Sequence, residues 1–365
     1  MENFVFVIGT RPELIKLNPI IELMPADRCY VILTGQHNIV PSDVSNYRKL
    51  DIRSCAAILE SNLGNNVAAI QTRVSNILQL QTKPDNVVVV VQGDTSSAVA
   101  GALAGYYAGM KVAHVEAGLR THLPNSPFPE EANRKIIAQL AYVHFAPTLT
   151  NYRNLIKENM SGSIYITGNT GGDSLRKHTN KGINPSIVQR LYSRSFKHDY
   201  HVLVTIHRRE SIPHLSKIMD AIVNLVQRTK TKVVWCLHPN PKVSNPVKQY
   251  LGQFPEIKLI PPQKYSQFIK YMQGADLIIS DSGGVQEEAP SLGKPVIVVR
   301  EATERVESIA LGYSVICPPA TITSNSFIDI LKQQPWKIPH SNTWKNPYFS
   351  ASAASTIAQK LVELK

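Results

Sequence analysis

The residues richest in chemistry lie in one stretch, Ser280-Asp281-Ser282-Gly283-Gly284-Val285-Gln286-Glu287-Glu288. The run Ala275–Ile279 before them reads as a buried strand. A strand entering Ser-Gly-Gly and then a helix leaves backbone N–H groups free at the helix N-terminus, and these attract anions. Glu288, one turn on, can accept hydrogen bonds from a diol such as a ribose. The set fits a nucleotide held by its diphosphate and its sugar. A tight turn whose glycines serve sterics alone accounts for the same letters.

Other short polar clusters follow other apolar runs. They are Gly9-Thr10-Arg11-Pro12-Glu13, Thr34-Gly35-Gln36-His37, Gln92-Gly93-Asp94-Thr95, Glu116-Ala117-Gly118-Leu119-Arg120, His207-Arg208-Arg209-Glu210 and His238-Pro239. One charged strand end is noise. A series of them in both halves points to ligand binding beyond the carboxyl ends of parallel strands, in a cleft between two domains.

The elements that must position these residues are legible as β-branched runs separated by helix-length segments. In the first half they are Phe4–Ile8, Tyr30–Leu33, Val87–Val91, Val112–Val115, Val143–Ala146 and Tyr165–Thr167. In the second they are Val202–Ile206, Val233–Leu237, Lys258–Ile260, Leu277–Ile279, Val296–Val299 and Ser314–Cys317. The pattern predicts two doubly wound α/β domains, each with a Rossmann-type sheet. The polar segment Gly168–His201 reads as a linker enclosing one helix. A helix over Ala353–Leu364 follows the Pro- and Trp-bearing stretch Gln333–Asn346 and is expected to pack back onto the first domain. Gly101, Gly105 and Gly109 share the spacing of membrane helix dimers, but a short helix in such a chain uses it to lie close to a sheet.

The 365 residues suit two domains, with 43% hydrophobic and 18% charged side chains. The net charge of +12 is dispersed, without a basic tail or an aromatic-basic stripe. That argues for attraction of a small anionic substrate rather than nucleic acid. Cys29, Cys55, Cys236 and Cys317 show no ligand-like spacing, so neither a disulfide framework nor a metal site is expected. The start Met1-Glu2-Asn3-Phe4 lacks a signal-like basic and apolar pattern, and no run reaches membrane-spanning length. A cytoplasmic, reducing compartment is expected.

Taken in order, the motifs resemble the non-hydrolysing UDP-N-acetylglucosamine 2-epimerase family along almost the whole chain. The resemblance is carried by Gly9-Thr10-Arg11-Pro12-Glu13 with Lys16, Gly93-Asp94-Thr95 and His114-Val115-Glu116-Ala117-Gly118-Leu119-Arg120. It continues through Pro129-Glu130-Glu131-Ala132-Asn133-Arg134, Gly168-Asn169-Thr170, His207-Arg208-Arg209-Glu210 and Ser282 to Glu288. It implies two Rossmann-like domains in a GT-B arrangement with an interdomain active-site cleft. The first domain would cover 1–170 plus a crossover helix at about 350–365, and the UDP-binding second domain 171–349. It further implies cofactor-free conversion of UDP-GlcNAc to UDP-ManNAc, through loss of UDP to give 2-acetamidoglucal and re-addition. The absence of GxGxxG after the first strand agrees with no nicotinamide requirement.

Site roles follow by resemblance. Asp94, Glu116 and Glu130 look like acid/base carboxylates, since the two faces of C2 need separate proton carriers. His207 would contact the diphosphate and help it leave. Arg11 would pair with phosphate oxygens. Lys16 would assist or only orient the first helix. Ser282, Gly283 and Gly284 would bind phosphates, Glu288 the ribose, and His238 is a further candidate. Arg134 is expected to hold the catalytic loop rather than touch substrate. The expected partner is a UDP-sugar, with no nucleic acid and no membrane, and a homodimer is left open.

The chain departs from the family pattern in places. Gln36-His37 continues as Asn38-Ile39-Val40 where Arg-Glu is usual, which puts activation by a second UDP-GlcNAc in doubt. His122-Leu123-Pro124-Asn125-Ser126 replaces a Gly-Asp loop leading to Glu130, so the sugar could differ at C3 or C6. Val306 stands where proline is usual. The competing readings are an epimerase of a modified UDP-HexNAc, a hydrolysing relative releasing ManNAc, a GT-B glycosyltransferase and a nucleotide-sugar sensor. Fold alone separates none of them.

Overall fold

The computed structural model describes residues 2–45, 49–54, 63–79, 86–179, 200–336 and 346–364. The chain divides into two units, Met1–Ser174 with Tyr348–Lys365, and Leu175–Pro347. Each is a parallel sheet flanked by helices, so the expected fold class, two Rossmann-like α/β domains, is the one observed.

The first unit's strands are β1 (Asn3–Ile8), β2 (Cys29–Leu33), β3 (Asp51–Ser54), β4 (Val87–Gln92), β5 (Lys111–Val115), β6 (Val143–Ala146) and β7 (Ser163–Ile166). Their order in the sheet is β3-β2-β1-β4-β5-β6-β7. The second unit's strands are β8 (His201–Thr205), β9 (Lys232–Cys236), β10 (Ile257–Ile260), β11 (Leu277–Ser280), β12 (Val296–Val298) and β13 (Ser314–Ile316), ordered β10-β9-β8-β11-β12-β13. In both sheets the order reverses beside the first strand, between β1 and β4 and between β8 and β11. These switch points open a crevice at the strand ends.

Residues buried on both faces explain the unbroken apolar runs: all of β4, Val87–Gln92, is buried. The strand β3 has no counterpart among the expected runs. Asp51-Ile52-Arg53-Ser54 holds one apolar residue, pairs only with β2 among the described residues and is half exposed, so its pairing rather than its composition makes it a strand.

The helix Ser96–Tyr107 lies flat on the sheet because its glycines permit it. A Cβ on Gly101 would come within 3.0 Å of Val7, and one on Gly105 within 2.9 Å of Val89. Gly101 and Gly105 make the close helix–sheet contact expected of this spacing, whereas Gly109 lies past the end of the helix in a turn with a φ of 71°. The helix Ala353–Val362 buries Ala354, Ile357, Ala358 and Leu361 in the same core as Phe4, Leu17 and Ile20 of the first unit. Its N-terminus is tied down by Asp173, which accepts from the Ala354 N–H at 3.1 Å.

Cys29, Cys236 and Cys317 are free and buried, and Cys55 lies outside the described residues. Among the described residues no helix is long and apolar enough to cross a membrane, and no group of His, Cys, Asp and Glu is arranged to hold a metal ion.

Candidate active site

At the end of β1 the chain turns into the helix Arg11–Ile21 through a capping box. Thr10 Oγ1 accepts from the Glu13 N–H, and the Glu13 carboxylate accepts from the Thr10 N–H at 2.6 Å. Glu13 also accepts from the Gly9 N–H at 3.0 Å and from the Thr95 hydroxyl at 2.5 Å. One buried carboxylate thus ties the first turn to the turn that carries Asp94. Burial pushes its pKa up to about 7, against the pull of these donors. Gly9 is required here for space, since a Cβ would lie 1.8 Å from Ser97 Oγ.

This helix presents Arg11 to solvent and Lys16 inward. Lys16 Nζ reaches Glu116 Oε2 at 2.5 Å, and Gln92 Nε2 donates to the same oxygen at 2.5 Å. Glu116 is 8% exposed and holds a φ of 65°. A long side chain in the left-handed region costs about 1–3 kcal/mol and persists only where its surroundings fix it. The strain and the paired lysine single out Glu116 from an ordinary surface acid.

Asp94 follows Gly93, which has a φ of 71°. Its Oδ2 accepts from Arg134 Nε at 2.9 Å and Nη2 at 2.6 Å. Its backbone carbonyl accepts from Asn133 Nδ2 at 2.7 Å, and the Gly93 carbonyl lies 2.8 Å from His114 Nε2. Burial pushes the His114 pKa down to about 3, so the ring is neutral and its Nε2–H donates to Gly93. Arg134 is fully buried and also bridges to Glu131 at 3.1 Å. Glu131 in turn accepts from the Thr121 and His122 N–H groups, at 3.0 and 3.2 Å, fixing the start of the loop that leads to Glu130. Glu130 opens the helix Glu130–Leu140, and its Oε2 is buried without a hydrogen-bond partner.

The second unit builds its candidate site from different parts. His207 and Arg208 follow β8, and Asp281 follows β11. The buried Asp281 carboxylate accepts from the His207 N–H at 2.9 Å and the Arg208 N–H at 2.8 Å, and lies 3.2 Å from His207 Nδ1. The His207 ring stacks on His238, centroids 5.8 Å apart and planes 9° apart. Arg208 Nε is buried without a hydrogen-bond partner. Ser282 caps the helix Gly283–Glu288 without a side-chain bond, so its first N–H groups carry no side-chain cap. Arg305 packs beneath Gly283, where a Cβ would meet its guanidinium at 2.7 Å, and is itself held by Glu287 at 2.8 Å and by Glu304. Glu288 accepts from the Tyr265 hydroxyl at 2.8 Å. Val306 is the first residue of the helix Val306–Ala310, a position that tolerates proline because its N–H needs no helical partner.

Asp94, Glu116, Lys16 and Arg134 therefore cluster at the ends of β4 and β5. His207, His238, Ser282, Gly283 and Gly284 gather at the ends of β8, β9 and β11, with Glu288 one helical turn further on. Sequence reasoning gave no role to Glu13, Gln92, Glu131, Tyr265 or Asp281. Glu13, Gln92, Glu131 and Asp281 stood within the quoted motifs, and their burial was the signal a sequence does not carry.

A family model for UDP-N-acetylglucosamine 2-epimerase matches residues 24–362. The chain is similar to the UDP-N-acetylglucosamine 2-epimerases of Campylobacter jejuni, at 40% identity over 86% of this chain and 85% of the relative, and of Salmonella typhimurium, at 39% over 84% of each. It is similar in structure to the UDP-GlcNAc 2-epimerase of Neisseria meningitidis bound to UDP-GlcNAc, with a TM-score of 0.84 and 32% identity over 99% of this chain and 100% of that one. The Methanocaldococcus jannaschii enzyme in complex with UDP-GlcNAc and UDP gives 0.82 and 29% over the whole of both chains. With its motifs, its two sheets and these matches along most of its length, the chain belongs to the UDP-N-acetylglucosamine 2-epimerase family.

Proposed function

We propose that the chain interconverts UDP-GlcNAc and UDP-ManNAc without hydrolysis and without a cofactor. The C2 hydrogen of the sugar is not acidic, and direct abstraction faces a prohibitive barrier. Breaking the C1–O bond to UDP first gives C1 oxocarbenium character and acidifies C2–H. A carboxylate then takes the proton, leaving 2-acetamidoglucal and UDP. Re-addition of UDP with protonation of the other face inverts C2.

Asp94, Glu116 and Glu130 are the proton carriers in this reading. The observation that carries it is the pairing of Asp94 with Arg134 and of the strained Glu116 with Lys16 at adjoining strand ends. Ion pairing holds these carboxylates in fixed positions. The buried, unpartnered Glu130 Oε2 is a third acceptor awaiting a proton or a donor. Arg11 pairs with phosphate oxygens and Lys16 orients Glu116. Ser282, Gly283 and Gly284 receive the diphosphate on backbone N–H groups at the start of the helix Gly283–Glu288. Glu288 binds the ribose hydroxyls, and His207, stacked on His238, assists departure of the diphosphate.

The test is NMR of UDP-GlcNAc with the enzyme in D2O. Both epimers acquire deuterium at C2, with no response to NAD or chelators. An epimer that keeps its original C2 hydrogen rules the mechanism out, and accumulation of free ManNAc rules out the non-hydrolysing course.

A further inference from the structure

The environment of Asp281 assigns a proton. Its carboxylate is fully buried, yet no cation side chain is bonded to it among the contacts described. It is balanced by the His207 and Arg208 N–H groups and by the His207 ring, whose Nδ1 lies 3.2 Å from Oδ1. A bare Nδ1 lone pair 3.2 Å from a carboxylate oxygen is repelled, whereas an Nδ1–H there is attracted, although the contact is not aligned as a hydrogen bond. Turning the ring over would keep its stack on His238 but would put Cδ2 in place of Nδ1 beside Asp281, giving up the attraction of an Nδ1–H for the carboxylate. His238 carries the opposite arrangement: its Nδ1 accepts from the Asn240 N–H at 3.1 Å, so its own proton sits on Nε2. The groups facing His207 are thus Asp281 after β11, the imidazole of His238 after β9, and Arg208 beside it in the chain.

We propose that Asp281 is a positioning residue that fixes the His207 proton on Nδ1, so that Nε2 is the atom His207 offers to the departing diphosphate. The idea rests on the role given to His207 above and deepens it. As C1–O breaks, its electron pair passes to the UDP oxygen. A proton on Nε2 of the imidazolium is shared with that oxygen, and it returns to Nε2 as UDP adds back. The Nδ1 proton stays on the Asp281 side throughout. With the tautomer reversed, the neutral ring would carry its proton towards the diphosphate and could not take it back at Nε2.

The variant Asp281→Asn separates orientation from folding. Its amide oxygen can keep the two backbone N–H bonds, while its NH2 faces Nδ1 and stabilises the bare nitrogen there. In 15N-labelled histidine spectra, with the His207 signals assigned by loss in His207→Asn, the wild type shows the Nδ1–H form of the neutral ring and Asp281→Asn the Nε2–H form. With that inversion kcat falls on the order of 10²-fold, while the affinity for UDP changes far less. A wild-type ring protonated on Nε2 overturns the proposal. So does an inverted ring with unchanged kcat, which would make Asp281 a brace of the turn only. If the wild type epimerises no UDP-sugar, the reading of the reaction fails, and the wild-type spectrum still decides where the proton sits.

Discussion

At the ends of β4 and β5, Asp94 and Glu116 each meet a cationic side chain, Arg134 and Lys16. At the ends of β8 and β11, the buried Asp281 is met by backbone N–H groups and an imidazole. The difference sets how each region responds to change. Paired charges from distant parts of the chain are costly to disturb singly, because the partner is left buried and uncompensated. Backbone donors cannot be mutated away, so the second region loses binding or protonation before it loses its fold.

The sharpest test of that contrast is catalytic. Asp94→Asn and Glu130→Gln preserve shape but remove proton transfer, so kcat falls on the order of 10²-fold or more while UDP still binds. Near-normal kcat in both folded variants would mean the chemistry lies elsewhere. If one carboxylate serves mainly re-addition, its variant releases 2-acetamidoglucal and UDP.

A second test concerns the fold of the first unit. Lys16→Met strands Glu116 and costs about 3–5 kcal/mol in denaturant unfolding, and adding Glu116→Gln returns most of it. Costs that simply add would break the comparison, by showing the pair to be independent.

Glu13 gives a pH signature. Its folded pKa of about 7 lies above the ordinary 4.5, so the folded chain holds a proton that the unfolded chain has lost. Its contribution to stability is then full below pH 4.5 and is lost as the pH rises through 7, by about 3 kcal/mol at most. Unfolding measured across that range shows this slope in the wild type and a flatter one in Glu13→Gln. An identical slope in both would locate the titration elsewhere.

The smallest effect belongs to the second unit. Tyr265→Phe removes the hydroxyl that orients Glu288 and raises KM about fivefold, the worth of ~1 kcal/mol, with kcat unchanged. A fall in kcat instead would tie this residue to chemistry rather than binding.

The sheets were readable because strands buried on both faces must be apolar throughout, as in Val87–Val91. The edge strand β3 was not, because pairing with β2 alone asks little of its composition. The motif residues announced a nucleotide-sugar site, but their partners depend on approach in space. Lys16 and Glu116 stand a hundred positions apart, and nothing local links them. Asp281 looked like one letter of a phosphate loop, and its bond to the turn after β8 emerged only from the parallel pairing of β8 with β11. Tyr265 was invisible for the same reason, since its hydroxyl matters only through Glu288.

The helix Ala353–Val362 fills part of the core that also holds Phe4, Leu17 and Ile20. A ribosome makes those residues long before the helix that covers them. The first unit therefore keeps part of an apolar face wet until Ala353–Val362 has been made, while Leu175–Pro347 can collapse beforehand. Order of synthesis and order of completion are reversed between the two units: the one begun first is completed second.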